Sequence, residues 1–317
     1  MSLRSISNAS RSLSSHAMPI LSIQQVSKRY RNVVAVDNVS FDVPQGALFG
    51  LLGPNGAGKT SLIRIITTIT AADSGVIYFD GEKLNTSHPE KIGYMPEERG
   101  LYRKMKVGEH LLYLAQLKGM QLADAKKKLV TMMERFEVLG WWSKKVEELS
   151  KGMQQKIQFI STILHEPKLI ILDEPFSGLD PINTSVIQDE IQALHQNGTT
   201  VIFSTHRMEQ VEQICEYLVL INKGKNVLQG KVSEIRDTFK EGIFKVLSDG
   251  NVNGNLTGLH ILSQTQHELL VKSDPGQSPN DLLRNLMNRG ITIHGFEEVK
   301  PSLNEIFIRT VKNLDDA

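Results

Sequence analysis

The sequence predicts an α/β fold in which a buried parallel sheet carries a phosphate-binding loop. Residues 47–52 form an apolar run that ends in a glycine-rich turn and is followed by a helical pattern. Two further runs, at 169–172 and 200–203, have the length and composition of buried strands. The chain has 317 residues, enough for one domain of ordinary size and a smaller second domain.

Composition and charge are those of a globular protein that is not built to bind nucleic acid. The chain is 40% hydrophobic and 22% charged, and 36 basic against 35 acidic residues leave a net charge of +1. A protein that neutralises many phosphates usually carries a basic excess. The single cysteine, Cys215, excludes an intrachain disulfide. The longest apolar runs are far shorter than the roughly 18 to 20 residues that cross a bilayer, so we expect no membrane-spanning segment.

The first seventeen residues differ in composition from the rest of the chain. They contain seven serines, Arg4 and Arg11 but no acidic residue, and the first acid of the chain is Asp37. This composition is compatible with an organellar transit peptide and with an unstructured polar extension. We favour a disordered extension over 1–17, ahead of a domain that begins near Met18.

Strands and a helix are predicted around the first apolar run. Residues 20–26 and 39–43 have the composition of strands, with Asn38 and the turn Pro44-Gln45-Gly46 as punctuation. A helix is predicted over 59–69, because its aliphatic residues recur at helical spacing. These elements open a main domain that we place at 18–230.

A helical insertion and a second domain are predicted further along the chain. Apolar residues recur with helical period in 102–148, and we place a helical subdomain at about 97–165. From residue 231 onward, predicted strands at 243–247, 268–272 and 291–296 are separated and followed by amphipathic helices at 280–288 and 303–311. We therefore predict a small accessory α/β domain over 231–317.

The turn after the first apolar run matches the phosphate-loop pattern G-x-x-x-x-G-K-[ST]. Its residues are Gly53, Pro54, Asn55, Gly56, Ala57, Gly58, Lys59 and Thr60, with Ser61 next along the helix. Glycines allow backbone N–H groups to approach phosphate oxygens at the positive end of the helix dipole. We expect Lys59 to reach the β- and γ-phosphates of a nucleotide and Thr60 to bind Mg²⁺.

A pair of acids ends the second apolar run. Asp173 and Glu174 directly follow 169–172, and the carboxyl end of a parallel strand borders the crevice where α/β sheets bind ligands. We expect Asp173 to hold Mg²⁺, which prefers oxygen ligands. Glu174 is expected to polarise the attacking water.

Further motifs resemble those of the nucleotide-binding subunits of ATP-binding cassette (ABC) transporters, over about residues 20–229. Tyr30 matches the aromatic that stacks on adenine. Ser150 and Gly152 lie in Leu149-Ser150-Lys151-Gly152-Met153, which matches the signature usually written LSGGQ. Asp180 ends Ser177-Gly178-Leu179-Asp180, which matches the loop after the acidic strand, and His206 matches the switch histidine. The resemblance implies a P-loop NTPase of ABC type with a helical subdomain and a C-terminal α/β domain.

Two departures from the family pattern stand out. Lys151 and Met153 replace the usual glycine and glutamine of the signature, and Glu97 stands where the family has a glutamine that contributes to Mg²⁺ binding. A carboxylate is a stronger oxygen ligand but adds negative charge beside the phosphates. The segments at 96–102 and 301–307 resemble the sodium-extrusion and drug-export branch of the family.

The resemblance implies a cytoplasmic subunit that hydrolyses ATP with Mg²⁺ and energises a separate membrane permease, most simply an exporter. It also implies a head-to-tail dimer of two such subunits, identical or similar, with ATP between the signature of one and the phosphate loop of the other. The partners would be the permease on the inner face of the membrane and no nucleic acid. Alternatives are an ABC ATPase acting on ribosomes or DNA, and a regulatory module that binds ATP without hydrolysis.

Overall fold

The computed structural model describes residues 18–98, 100–248 and 258–315. The extension interpreted as disordered, 1–17, lies outside the described residues. The chain divides into two compact units, Met1–Val232 and Ser233–Ala317. Among the described residues, no helix combines the length and the apolar character that crossing a membrane requires.

The first unit contains ten strands and six helices among its described residues. The strands are β1 (Leu21–Tyr30), β2 (Val33–Val43), β3 (Leu48–Leu52), β4 (Ser74–Phe79), β5 (Glu82–Lys83), β6 (Ile92–Met95), β7 (Leu169–Asp173), β8 (Thr200–Thr205), β9 (Tyr217–Asn222) and β10 (Lys225–Lys231). The helices are α1 (Lys59–Ile66), α2 (Val107–Leu117), α3 (Leu122–Arg135), α4 (Lys151–Ile163), α5 (Pro181–Gln196) and α6 (Met208–Ile214).

These strands form two sheets. The larger sheet has the order β10-β9-β3-β8-β7-β6, and all its pairs are parallel except β10 with β9. Every residue of β3, β7 and β8 is buried, as expected for strands covered on both faces. The smaller sheet is antiparallel, with the order β2-β1-β4-β5. The central strands of the larger sheet therefore end together at one edge, which carries the site described below.

Asn38 does not lie in a turn. It lies inside β2 with a left-handed backbone (φ 53°) and its N–H donates to Ser27 Oγ at 2.9 Å. The register of β1 against β2 shifts next to it, between Val26 and Lys28. A bulge within a long strand uses the same left-handed conformation as a turn, which asparagine tolerates. The assignment of Asn38 as punctuation between two short strands was therefore wrong.

The helix after the phosphate loop is shorter than the sequence indicates. α1 ends at Ile66 rather than at Ile69, whose side chain is 62% exposed. Thr67 donates through Oγ1 to the carbonyl of Ile63 at 2.8 Å, and Thr68 has a left-handed backbone (φ 58°). The chain thus leaves the helix at a threonine pair, before the last apolar residue of the pattern.

The second unit is an antiparallel sheet with helices. It contains β11 (Ile243–Ser248), β12 (His260–Gln264), β13 (Glu268–Lys272), β14 (Ile293–Glu298), α8 (Pro279–Asn288) and α9 (Leu303–Asp315), and α7 (Val232–Thr238) starts at its boundary. The strand order is β12-β13-β11-β14. Its core is built by seven buried apolar residues: Phe244, Val246, Leu269, Val271, Leu282, Leu286 and Ile291. The sequence did not predict β12, in which every residue except Ile261 is exposed.

The helices between β6 and β7 include a buried histidine. His110 on α2 is 0% exposed, and neither of its ring nitrogens has a hydrogen-bond partner among the described residues. Its ring contacts that of Tyr102 edge-on, with centroids 5.7 Å apart. Burial lowers the pKa of His110 to about 4, because the charged form loses its hydration.

We expect replacement of His110 by phenylalanine to make the protein less sensitive to acid. Below the ordinary histidine pKa of about 6.5 the unfolded chain binds a proton that the folded chain binds only near pH 4, so stability falls as pH falls. This linkage amounts to at most about 1.4 kcal/mol per pH unit. Urea denaturation of the wild type and His110→Phe between about pH 7.5 and 5 measures it. A constant difference in unfolding free energy across that range would contradict the prediction.

Candidate functional site

The phosphate loop joins β3 to α1 and is enclosed by two other backbone segments. Gly58 has a φ of 110°, and a Cβ atom there would lie 2.1 Å from the carbonyl oxygen of Ala35. At Gly53, with a φ of 154°, a Cβ would lie 2.2 Å from the carbonyl oxygen of Ile221. Only glycine fits both the conformation and the space at these positions. The loop is thus held in one shape with its N–H groups at the start of α1.

Lys59 folds its side chain back over this loop. Its Nζ donates to the carbonyl oxygens of Gly53 at 2.6 Å and Pro54 at 3.1 Å, and the residue is buried. Burial lowers the pKa of Lys59, while the nearby carboxylates raise it, first Glu174 and then Asp173. The ammonium group therefore lies where a bound anion would compensate its lost hydration.

Asp173, the last residue of β7, is brought together with Thr60 and Ser204. Ser204 Oγ donates to Asp173 Oδ1 at 2.7 Å, and Thr60 Oγ1 lies 3.4 Å from Oδ2. Asp173 and Ser204 are opposite each other in the parallel pair of β7 and β8. Burial raises the pKa of Asp173, against the hydrogen bond from Ser204, and Glu97 and Glu174 raise it further.

Glu174 is held by the end of β8. Its Oε1 accepts the backbone N–H of His206 at 2.8 Å and lies 2.6 Å from His206 Nδ1, and its Oε2 accepts Thr205 Oγ1 at 3.0 Å. An ionised carboxylate can only accept, so Nδ1 carries the proton of the shortest bond. The backbone of Glu174 is left-handed (φ 49°), a strained conformation that clusters at functional sites. The structure thus places Glu174 and His206 in direct contact.

The signature region and the loop at Asp180 form a second group. Ser150 caps α4 by accepting Met153 N–H at 3.3 Å, and Asp180 caps α5 by accepting Asn183 N–H at 2.9 Å. A Cβ on Gly152 would lie 3.6 Å from Asn183 Nδ2. Ser150, Gly152 and Asp180 therefore belong to one surface, at the N-termini of two helices.

Tyr30 and Glu97 lie at exposed positions. Tyr30 ends β1, is 39% exposed, and has Lys28 Nζ 5.6 Å from its ring centroid. Glu97 is exposed in the loop that follows β6, and its charge acts on both Lys59 and Asp173. The structure brings Glu97 within electrostatic range of the site without a direct bond to it.

The donor set fits a small hard cation. Thr60 and Asp173 offer oxygen atoms, and three carboxylates, those of Glu97, Asp173 and Glu174, lie within electrostatic range of the Lys59 ammonium group. No group of three His, Cys, Asp or Glu side chains among the described residues could hold a metal by itself. Mg²⁺ is usually bound through one or two carboxylates together with substrate phosphates, so these residues suit it.

Sequence reasoning missed Ser204 and Thr205 as site residues. Both are buried, and the strand predicted at 200–203 ends before them. The signal that could have found them is the parallel arrangement itself, because neighbouring strands end at the same edge of the sheet. Gln155 and Gln158 on α4, considered further below, were missed because their partners are backbone carbonyls.

Comparison with protein families gives two matches. The family described as ABC transporter matches residues 36–177. The family described as ATP-binding protein DrrA1-3-like, C-terminal domain, matches residues 230–311. The first match lies within the first unit, and the second match covers most of the second unit.

Known proteins are similar over most of the chain. The uncharacterized ABC transporter ATP-binding protein YhaQ of Bacillus subtilis (strain 168) is 44% identical over 92% of this chain and 98% of its own. The linearmycin resistance ATP-binding protein LnrL of the same organism is 28% identical over 91% of this chain and 97% of its own. A solved ATP binding subunit of an ABC transporter is 29% identical with a TM-score of 0.65, over 69% of this chain and 93% of that one. These similarities confirm the family and the fold class predicted from the sequence.

We expect Gly58→Ala to destabilise the first unit by about 2 kcal/mol or more, because a Cβ would meet the carbonyl of Ala35 in a backbone conformation that alanine rarely adopts. Gly140→Ala is the matched control, since Gly140 has open space around its Cα and no left-handed φ. Urea denaturation of the two variants measures the difference. Equal stability of both would show that the loop is less enclosed than described.

Proposed function

Because the chain belongs to the family of ABC transporter ATP-binding proteins, we propose that it hydrolyses ATP to ADP and phosphate and thereby drives a separate membrane permease. The observation that carries the hydrolytic part is the Glu174 carboxylate, held by Thr205 and His206 beside Asp173. A carboxylate in a fixed orientation next to a phosphate loop is suited to accept a proton from the attacking water.

The residues around Glu174 have distinct proposed roles. Lys59 and the backbone N–H groups of the loop over 53–61, in which Pro54 has none, bind the phosphates, and Tyr30 stacks on the adenine ring. Thr60 and Asp173 hold Mg²⁺, with Glu97 completing the set. When bound, Mg²⁺ neutralises charge on the phosphate oxygens. His206 keeps Glu174 oriented through its backbone N–H and its Nδ1.

We further propose that the active form is a head-to-tail dimer, with an identical or a similar subunit. Ser150, Gly152 and Asp180 form a surface of helix N-termini, and no hydrogen bond joins these residues to the phosphate loop within the described part of the chain. Such a surface suits the γ-phosphate of ATP held by a second subunit. The two halves of each ATP site would then come from different chains.

The transport role is proposed from the relatives. One similar structure is an ATP binding subunit of an ABC transporter, and the relative LnrL is named for linearmycin resistance. These descriptions favour an export permease as partner and a location on the cytoplasmic face of the membrane through that permease. The domain over 231–317 is proposed to be accessory, because all the proposed catalytic and nucleotide-binding residues precede it.

We expect Glu174→Gln to bind ATP but to release phosphate at least ~100-fold more slowly, the scale of general-base losses. The amide keeps the size of the side chain but cannot accept the proton of water. Glu209→Gln, at an exposed position of α6, is the matched control and should release phosphate at the wild-type rate. Normal turnover by Glu174→Gln would refute the role of Glu174.

We expect the need for Mg²⁺ to depend on the oxygen atom at position 97. Glu97→Gln keeps an oxygen ligand and should retain much of the activity, whereas Glu97→Ala should need several-fold more Mg²⁺ (about 3- to 10-fold). The measurement is the ATPase rate as a function of Mg²⁺ concentration. Glu98→Ala, at the exposed neighbouring position, is the control. If Glu97→Ala follows the wild-type curve, Glu97 is not part of the metal site.

A further inference from the structure

Helix α4 directs two buried glutamines at the loops that follow β6 and β7. The side-chain amide of Gln158 donates to the carbonyl oxygen of Pro96 at 2.7 Å, and that of Gln155 donates to Pro175 at 2.9 Å. Both glutamines are 3% exposed. Pro96 directly precedes Glu97, and Pro175 directly follows Glu174. One helix therefore binds both loops that carry these acids.

The spacing of the glutamines matches the spacing of the strands. β6 and β7 are parallel neighbours, with Met95 opposite Leu172, so their loops leave the sheet side by side, about 4.8 Å apart. Residues three apart on a helix share a face, with Cβ atoms about 5–6 Å apart. Gln155 and Gln158 have this separation, so a straight α4 can bond both loops at once.

The other end of α4 is packed closely on β6. A Cβ atom on Gly93 would lie 2.4 Å from the carbonyl oxygen of Thr162, so glycine is needed for this approach. Thr162 thus lies at Gly93, at the start of β6, and Gln158 lies at Pro96, after its end. Helix and strand run in opposite directions, and the first turn of α4, which Ser150 caps, extends beyond the end of the sheet.

The Gln158 side chain also carries an acceptor without a partner. The Pro96 carbonyl can only accept, so the amide NH₂ must face it and Oε1 faces away. This Oε1 is buried and receives no hydrogen bond from any described residue. A buried amide oxygen without a donor is unfavourable for folding. Leucine would fill this space without the unpartnered oxygen, so what the glutamine adds here is its bond to Pro96.

Resting on the function proposed above, we propose that Gln158 is a positioning residue for Glu97. Its hydrogen bond to Pro96 holds the loop after β6 so that the Glu97 carboxylate stays on the side of Asp173 and Lys59. Gln155, on the same face of α4, binds the loop after Glu174 in the same way, through the carbonyl of Pro175. Helix α4, which Ser150 caps, is thereby bonded to the loops of both acids.

The test measures Mg²⁺-dependent nucleotide binding in the Glu174→Gln background, in which turnover does not interfere. A fluorescent ATP analogue is titrated at a series of Mg²⁺ concentrations. We expect Gln158→Leu to raise the Mg²⁺ concentration for half-maximal binding about 2- to 10-fold, the range of one hydrogen bond. Its thermal midpoint should stay near that of the parent, because the variant loses the bond to Pro96 but also removes the unpartnered oxygen. A purely structural role would instead lower the midpoint.

A double-mutant cycle separates an action through Glu97 from an independent effect. In the Glu97→Ala background, Gln158→Leu should cause no further rise in the Mg²⁺ requirement, because its effect acts through the missing carboxylate. The matched control is Gln154→Leu on the same helix, which removes bonds to the carbonyls of Val146 and Leu149 but none to Pro96. It should leave the Mg²⁺ requirement at the parent value. Gln158→Met serves the same purpose if the leucine variant does not fold.

Two results would overturn the proposal. The Mg²⁺ curves of the parent and of Gln158→Leu could coincide, or the shifts from Gln158→Leu could be equal with and without Glu97. In both cases the parent still binds ATP, so the proposed function stands while the positioning role is refuted. Failure of the proposed function itself would appear earlier, as a parent protein that does not bind the analogue at any Mg²⁺ concentration.

Discussion

The site depends on burying two neighbouring carboxylates at the end of one strand. Asp173 and Glu174 are only 2% and 9% exposed, and like charges at this separation repel strongly where water is excluded. The parallel register of β7 with β8 compensates this repulsion by placing donors beside both acids: Ser204, Thr205 and His206. Burial still raises the pKa of Asp173. The fold therefore leaves an excess of negative charge at this edge, and a bound cation would balance it.

The order of the strands determines which loops meet around that charge. β3, β8, β7 and β6 are consecutive neighbours in the larger sheet, and all four are parallel. Their carboxyl ends lead into the phosphate loop, His206, the two acids and Glu97. Parallel strands place all these loops at one edge, although more than a hundred residues separate Lys59 from Glu174 along the chain. β8 lies between β3 and β7, and β6 lies beside β7. Without these two strands the phosphate loop and the two acids would not form the site.

Local patterns were sufficient for the phosphate loop and for the buried strands, since their apolar runs and glycine spacing are properties of consecutive residues. They were not sufficient at Asn38, because a bulge and a turn use the same left-handed backbone. β12 was not predicted, because an edge strand with mostly exposed residues lacks the alternation of apolar and polar residues that marks a half-buried strand. The role of Gln158 could not be predicted for another reason. Its partner is the backbone carbonyl of Pro96, sixty-two positions away, and every residue has a backbone carbonyl, so the sequence does not identify which one is bonded.

Both loops that α4 binds contain a proline next to an acid: Pro96 beside Glu97 and Pro175 beside Glu174. The rings of Pro96 and Pro175 fix φ and so remove one of the two backbone rotations at each position. Because α4 donates to the carbonyls of both prolines, a displacement of α4 would either carry both loops with it or break both hydrogen bonds. Because Glu97 and Glu174 are each one residue from these prolines, the first outcome moves the two carboxylates together. The face of α4 that holds Gln155 and Gln158 thus links the helix that Ser150 caps to the loops of both acids.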